Sequence, residues 1–106
     1  MKIEKIQKNL AQRILDYEKD VDYYEFNNNY NNDDEAFNDI LETLRNSDGI
    51  EYILTYLNND IDHYQSINDV DKNDAYVNEV LKNARSIYDE VKKYQDGMIN
   101  MEYGRW

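Results

Sequence analysis

The stretch KIEKIQKNLAQRILDYEKDVDYYEF, residues 2–26, decides the fold class. Its apolar side chains Ile3, Ile6, Leu10, Ile14, Tyr17, Val21 and Tyr24 recur at steps of three or four. That spacing places them on one stripe of an α-helix, about 35 Å long at 1.5 Å per residue. The first half of the stretch is basic and the second half acidic. A helix macrodipole favours the opposite order, with anions at the N-terminus and cations at the C-terminus. Local helix energetics do not account for this charge order, so a neighbouring helix or a partner has to.

The same period recurs downstream. Residues 27–32, NNNYNN, read as a linker, because Asn competes with helix by bonding nearby backbone and tolerates turns. Asn32-Asp33-Asp34-Glu35 has the outline of a capping box. Phe37, Ile40, Leu41 and Leu44 follow as the face of a short helix that stops near Ser47-Asp48-Gly49. Asp48, with Glu51 three residues on, predicts the cap of a third helix. Its stripe is Ile50, Ile53, Leu54, Leu57, Ile61 and Tyr64, and it ends near Gln65. Residues 66–73 read as a polar loop pinned by Ile67 and Val70. A fourth helix is predicted over 74–96, with Val77, Val80, Leu81, Ala84, Ile87, Tyr88, Val91 and Tyr94 inward and Gly97 at its C-terminal cap.

Pro is absent and Gly occurs three times, too few for the turns of a sheet protein. The expected architecture is all-α: a small antiparallel bundle of about four helices, long-short-medium-long. The tail MINMEYGRW, residues 98–106, keeps Met98, Ile99, Met101, Tyr103 and Trp106 without a period. It either folds back or presents apolar groups to another molecule. A chain of 106 residues is expected to form a single domain.

Charge is concentrated in the centre. Residues 14–79 hold 18 acidic side chains against Lys19, Arg45 and Lys72, a net −15, whereas the whole chain carries −11. Such a field repels acidic partners and attracts basic ones. Direct nucleic-acid binding by the basic ends is disfavoured by the total charge. Those basic residues are expected to pair with acids of neighbouring helices. No apolar run reaches the ~20 residues that cross a bilayer, and the basic N-terminus has no apolar core of a secretory signal. With no Cys, the expected location is the cytoplasm, that of a host bacterium if the chain is phage-encoded, with no membrane partner.

Catalytic constellations are missing. His63 is the sole histidine and reads as a surface residue, since no nucleophile motif or phosphate-binding glycine loop accompanies it. Asp69-Val-Asp71-Lys-Asn73 matches the first three ligand positions of an EF-hand loop. The glycine position holds Asp74 and the bidentate glutamate position holds Val80, so no metal site is assigned. No cofactor is implied, and the chain is read as a non-enzyme.

The candidate surface is therefore acidic and binds protein. Glu18, Asp22 and Glu25 share a helical row, with Asp16 and Asp20 beside it. Asp33, Asp34, Asp60, Asp62, Asp69 and Asp71 extend the field. Helix starts explain roughly a third of the central carboxylates. Like charges at helical spacing cost about 0.2–0.5 kcal/mol per pair, so the remaining carboxylates either form a solvated surface that keeps the chain soluble or are favoured by something outside the fold. Tyr23, Tyr24, Tyr30, Tyr52 and Tyr56 lie off the stripes or at their margins. Tyr at such positions either pads the core with its hydroxyl wet or anchors an interface.

In size, charge, carboxylate-rich helices and interleaved Tyr, the chain resembles the small acidic inhibitors that phages use against host defence. These are the anti-CRISPR and antirestriction proteins of DNA-mimic type. The resemblance is to the class and rests on no motif. It implies occlusion of a basic nucleic-acid-binding surface on a larger protein, a CRISPR nuclease first among candidates. The mechanism would be that carboxylates stand in for the closely spaced charges of a nucleic-acid backbone. The alternative is a helical adaptor or assembly protein acting through its apolar tail, without mimicry.

Overall fold

The computed structural model describes the backbone of residues 2–21 and 30–102, with side chains from 3–21 and 30–97. It is all-α, and no strand occurs among the described residues. Among the described residues four helices follow in order: α1 (Lys2–Val21), α2 (Asp33–Leu44), α3 (Ser47–Val70) and α4 (Ala75–Glu102). They fall into two compact units, Met1–Gly49 and Ile50–Trp106.

In the first unit α1 packs on α2. Lys19 meets Asp33 at 2.8 Å, and Arg45 Nε lies 3.5 Å from Gln7 Oε1. The first contact joins the end of α1 to the start of α2, and the second joins their other ends, so the pair is antiparallel. Leu10, Ala11, Ile14, Leu15 and Tyr17 are buried on α1, and Ala36, Ile40, Leu41 and Leu44 on α2. Ile6, predicted on the stripe, is 43 % exposed. Ile3, nearer the start of α1, is half-buried, so the exposure of Ile6 is local to that position rather than a loss of cover toward the helix start.

The second unit is a longer antiparallel hairpin. Gln95 Nε2 donates to Glu51 Oε1 at 2.6 Å, Arg85 donates to Gln65, and Asn68 donates to Asn78. Ile50, Ile53, Leu54 and Leu57 are buried on α3. On α4 every predicted inward residue is buried except Tyr88, which is half-buried.

Three predicted boundaries are corrected. α3 does not end near Gln65 but continues to Val70, so it has 24 residues and outlasts the described α1. The segment read as a polar loop satisfies its own polar groups within the helix. Gln65 Nε2 donates to Asp69 Oδ1 at 3.0 Å, and Ser66 Oγ to the Asp62 carbonyl at 3.0 Å. The connection to α4 shrinks to residues 71–74. Gly97 does not end α4, which runs through it to Glu102. An interior Gly costs a helix only about 1 kcal/mol relative to Ala, and no Pro follows to stop it. The N-terminal cap of α3 is Asn46 rather than Asp48, since Asn46 Oδ1 accepts from Gly49 N at 2.6 Å.

The other caps follow the sequence closely. Asn32 Oδ1 accepts from Glu35 N at 2.9 Å. The Glu35 carboxylate accepts instead from the Asn31 amide at 3.2 Å, so half of the box forms. Asp74 Oδ1 accepts from the Tyr76 and Val77 amides at 3.0 and 3.2 Å. The predicted helical span 22–26 and residues 27–29 of the linker lie outside the described residues, as do the side chains of the tail.

Candidate protein-binding surface

Among the described residues no charged or polar side chain is buried. The negative field of the central segment therefore faces outward. Asp16, Asp20, Asp33, Asp34, Asp62, Asp69 and Asp71 are exposed, and Glu18 and Asp60 are half-buried. Asp22, Tyr23, Tyr24 and Glu25 lie outside the described residues.

In the first unit the antiparallel pairing brings the start of α2 to the end of α1. A shallow depression there is lined by Gln12, Leu15, Asp33, Asp34 and Phe37. Gln12 Nε2 also donates to Asp16 Oδ1 at 3.0 Å, which places that carboxylate beside a lining residue. Lys19 pairs with Asp33 across the two helices. The lining combines the apolar Leu15 and Phe37 with the carboxylates of Asp33 and Asp34, which suits the aliphatic stem and cationic head of Lys or Arg. Tyr30 is half-buried, and its hydroxyl donates to Asp39 Oδ2 at 2.6 Å.

In the second unit the acids gather at the α3–α4 turn. Asp69 lies in the last turn of α3, which holds no basic residue. Anions at that end run against the macrodipole by roughly 0.3–1 kcal/mol. Asp71 Oδ1 accepts from Asn73 N at 3.1 Å and Asp74 caps α4. Those carboxylates are thus engaged in holding the turn. Among the described residues no group of three or more His, Asp or Glu is arranged to hold a metal ion.

Of the tyrosines singled out, Tyr52 is 70 % exposed and Tyr56, one turn on, is half-buried. Burial against the neighbouring stripe claims part of Tyr56. His63 is a surface residue, its ring 5.1 Å from that of Tyr64 in an edge-on arrangement.

The basic residues behave differently from expectation where their partners are defined. Lys8 pairs with Glu4 on its own helix at 3.2 Å, Lys92 bonds Gln95 on its own helix, and Arg85 bonds a neutral amide. Short local spacing competes well with cross-helix reach. Lys8 holds the Glu4 carboxyl below its ordinary value, mainly through its hydrogen bond and then its charge.

One exposed feature was not read from the sequence. Val70, taken there as a pin for the loop, is 89 % exposed, and Ile67 and Tyr76 are 36 % and 54 % exposed. They cluster at one end of the α3–α4 hairpin. The signal available in sequence was an apolar pair, Ile67 and Val70, continuing the helical period beyond the predicted end of α3.

No family model, curated protein or solved structure matches the chain. Among the described residues no helix is long and apolar enough to cross a membrane.

Proposed function

We propose that the chain is a non-catalytic inhibitor that occludes a basic, nucleic-acid-binding surface of a larger protein, with a CRISPR nuclease as the target class. The observation that carries the reading is the outward placement of the central carboxylates, with none buried among the described residues. Some of these acids also serve the fold, Asp33 by pairing with Lys19 and Asp71 and Asp74 by holding the α3–α4 turn, but their side chains stay at the surface. An exposed field of this kind raises the rate of encounter with a cationic surface and fixes orientation. Asp16, Asp33 and Asp34 supply one acidic rim on the first unit, and Asp62, Asp69 and Asp71 an acidic stretch on the second. Each offers carboxylates to Lys and Arg side chains that otherwise hold phosphates.

The test is a panel of purified CRISPR nucleases, each assayed for DNA binding with and without the chain. Loss of DNA binding by a member of the panel, relieved by added salt, is the expected result. Reversing charge at Asp16, Asp20, Asp33 and Asp34 should restore DNA binding. Inhibition that survives both the reversals and high salt ends the mimic reading.

A further inference from the structure

The geometry points to the outer face at the end of α3 as an apolar anchor. It would dock in an apolar depression, rimmed by Lys or Arg, on the protein partner. This rests on the reading of a basic partner above and adds what the acids alone do not supply. His63, Ile67 and Val70 stand at steps of four and three, one helical row. All three are exposed, Val70 at 89 %. Tyr76, in the first turn of α4, exposes a further ring on the same hairpin end.

The row is presented rigidly. Asp71 N donates to the Ile67 carbonyl at 3.0 Å, which extends helical bonding past Val70. Asn78 donates to the Lys72 carbonyl at 3.1 Å and accepts from Asn68. One side chain therefore ties the end of α3, the turn and α4 together. An apolar side chain held on a fixed turn loses little conformational freedom on binding.

Charge selects the occupant. Residues 60–79 carry six acids against Lys72 alone. A second copy of the chain would bring the same field face to face, and like charges opposed at an interface suppress that pairing. A cationic surface around an apolar hollow matches both parts. An apolar centre with a polar, charged surround is the layout of protein–protein interfaces in general.

The experiment uses the full isotope-labelled chain and two synthetic peptides of equal positive charge. One alternates lysine and glycine; in the other some glycines are replaced by tryptophan. The tryptophan peptide is expected to bind roughly fivefold tighter or more, with amide shifts centred on residues 63–76. Its advantage should persist from roughly 0.1 M to 1 M salt, where the screening length falls from about 10 Å to 3 Å. Ile67→Ser with Val70→Ser should erase the advantage and leave the lysine–glycine affinity unchanged. Both positions are exposed, so the variant should fold, as circular dichroism would verify. Equal binding of the two peptides, or an advantage that survives the double variant, overturns the anchor while leaving the charge reading intact. Failure of both peptides to bind overturns both. A dimer seen by sedimentation and lost in the double variant makes a second copy the occupant and overturns the basic partner at this face.

Discussion

Gly49 is pressed against the carbonyl of Thr43: a Cβ at Gly49 would lie 2.1 Å from that oxygen. The contact lies within the first unit and is local to the end of α2 and the first residues of α3. Only Arg45 and Asn46 separate the two helices. The Thr43 carbonyl, at the end of α2, also accepts from the amide of the cap residue Arg45. A Gly→Ala change inside a helix ordinarily stabilises by up to about 1 kcal/mol. Here the opposing atom is backbone and cannot rotate away. Gly49→Ala should therefore destabilise by about 1–3 kcal/mol, the range of overpacked sites. Urea denaturation reads it, and a stabilised variant would show that the Thr43 carbonyl leaves room for a methyl group.

Capping of α3 gives a discriminating pair. Asn46→Ala removes the acceptor for Gly49 N and should cost about 0.5–2 kcal/mol. Asp48→Ala removes only a favourable charge in the first turn, worth about 0.3–1 kcal/mol. Thermal melts of the two variants should rank Asn46→Ala as the more damaging. The reverse order would return the cap to Asp48.

Core and hairpin end should respond oppositely to truncation. Leu44 and Leu57 are fully buried, so either Leu→Ala change should cost about 2–5 kcal/mol. Val70 is 89 % exposed, and Val70→Ala should stay within about 0.5 kcal/mol of the parent. Denaturant midpoints measure both, and a large loss at Val70 would mean that its side chain is buried.

The Glu4–Lys8 pair carries a pH signature. Lys8 lowers the folded-state value of Glu4 from the ordinary 4.5. A depressed carboxyl contributes stability that is present above its unfolded value and is lost as pH falls through the folded one. Glu4→Gln should therefore separate from the parent at neutral pH and converge with it in acid. The exposed site keeps the separation small. Parallel stability curves across that range would show that the pair contributes nothing.

Periodicity made α4 legible. Val77, Val80, Leu81, Ala84, Ile87, Val91 and Tyr94 were all placed inward, and all are buried. A long helix with a partner along its length leaves little ambiguity about its face. Legibility failed where the period did not decide burial and where polarity mimics a loop. Ile6 keeps the period yet is 43 % exposed, while Ile3 before it is half-buried. Ser66 and Gln65 read as loop residues, yet their side chains bond within the helix. Small core residues were also missed: Ala11 and Ala36 are fully buried, and nothing in their type announces it. For the candidate surface, sequence supplied which residues are charged. It did not supply the depression around Leu15 and Phe37, which needs α1 and α2 set antiparallel, nor the exposure of Val70.

The four-residue connection between α3 and α4 has a kinetic meaning. Asp74 caps α4 while Asp71 shapes the turn, so the hairpin can close from its own tip. Partners then meet in sequence order, Asn68 with Asn78 before Gln65 with Arg85, and Glu51 with Gln95 last. Each step closes only a small additional loop, and contacts this local belong to chains that fold in microseconds to milliseconds. The tip that displays Val70 would thus be among the first parts of that unit to take shape, ready before its far end has zipped.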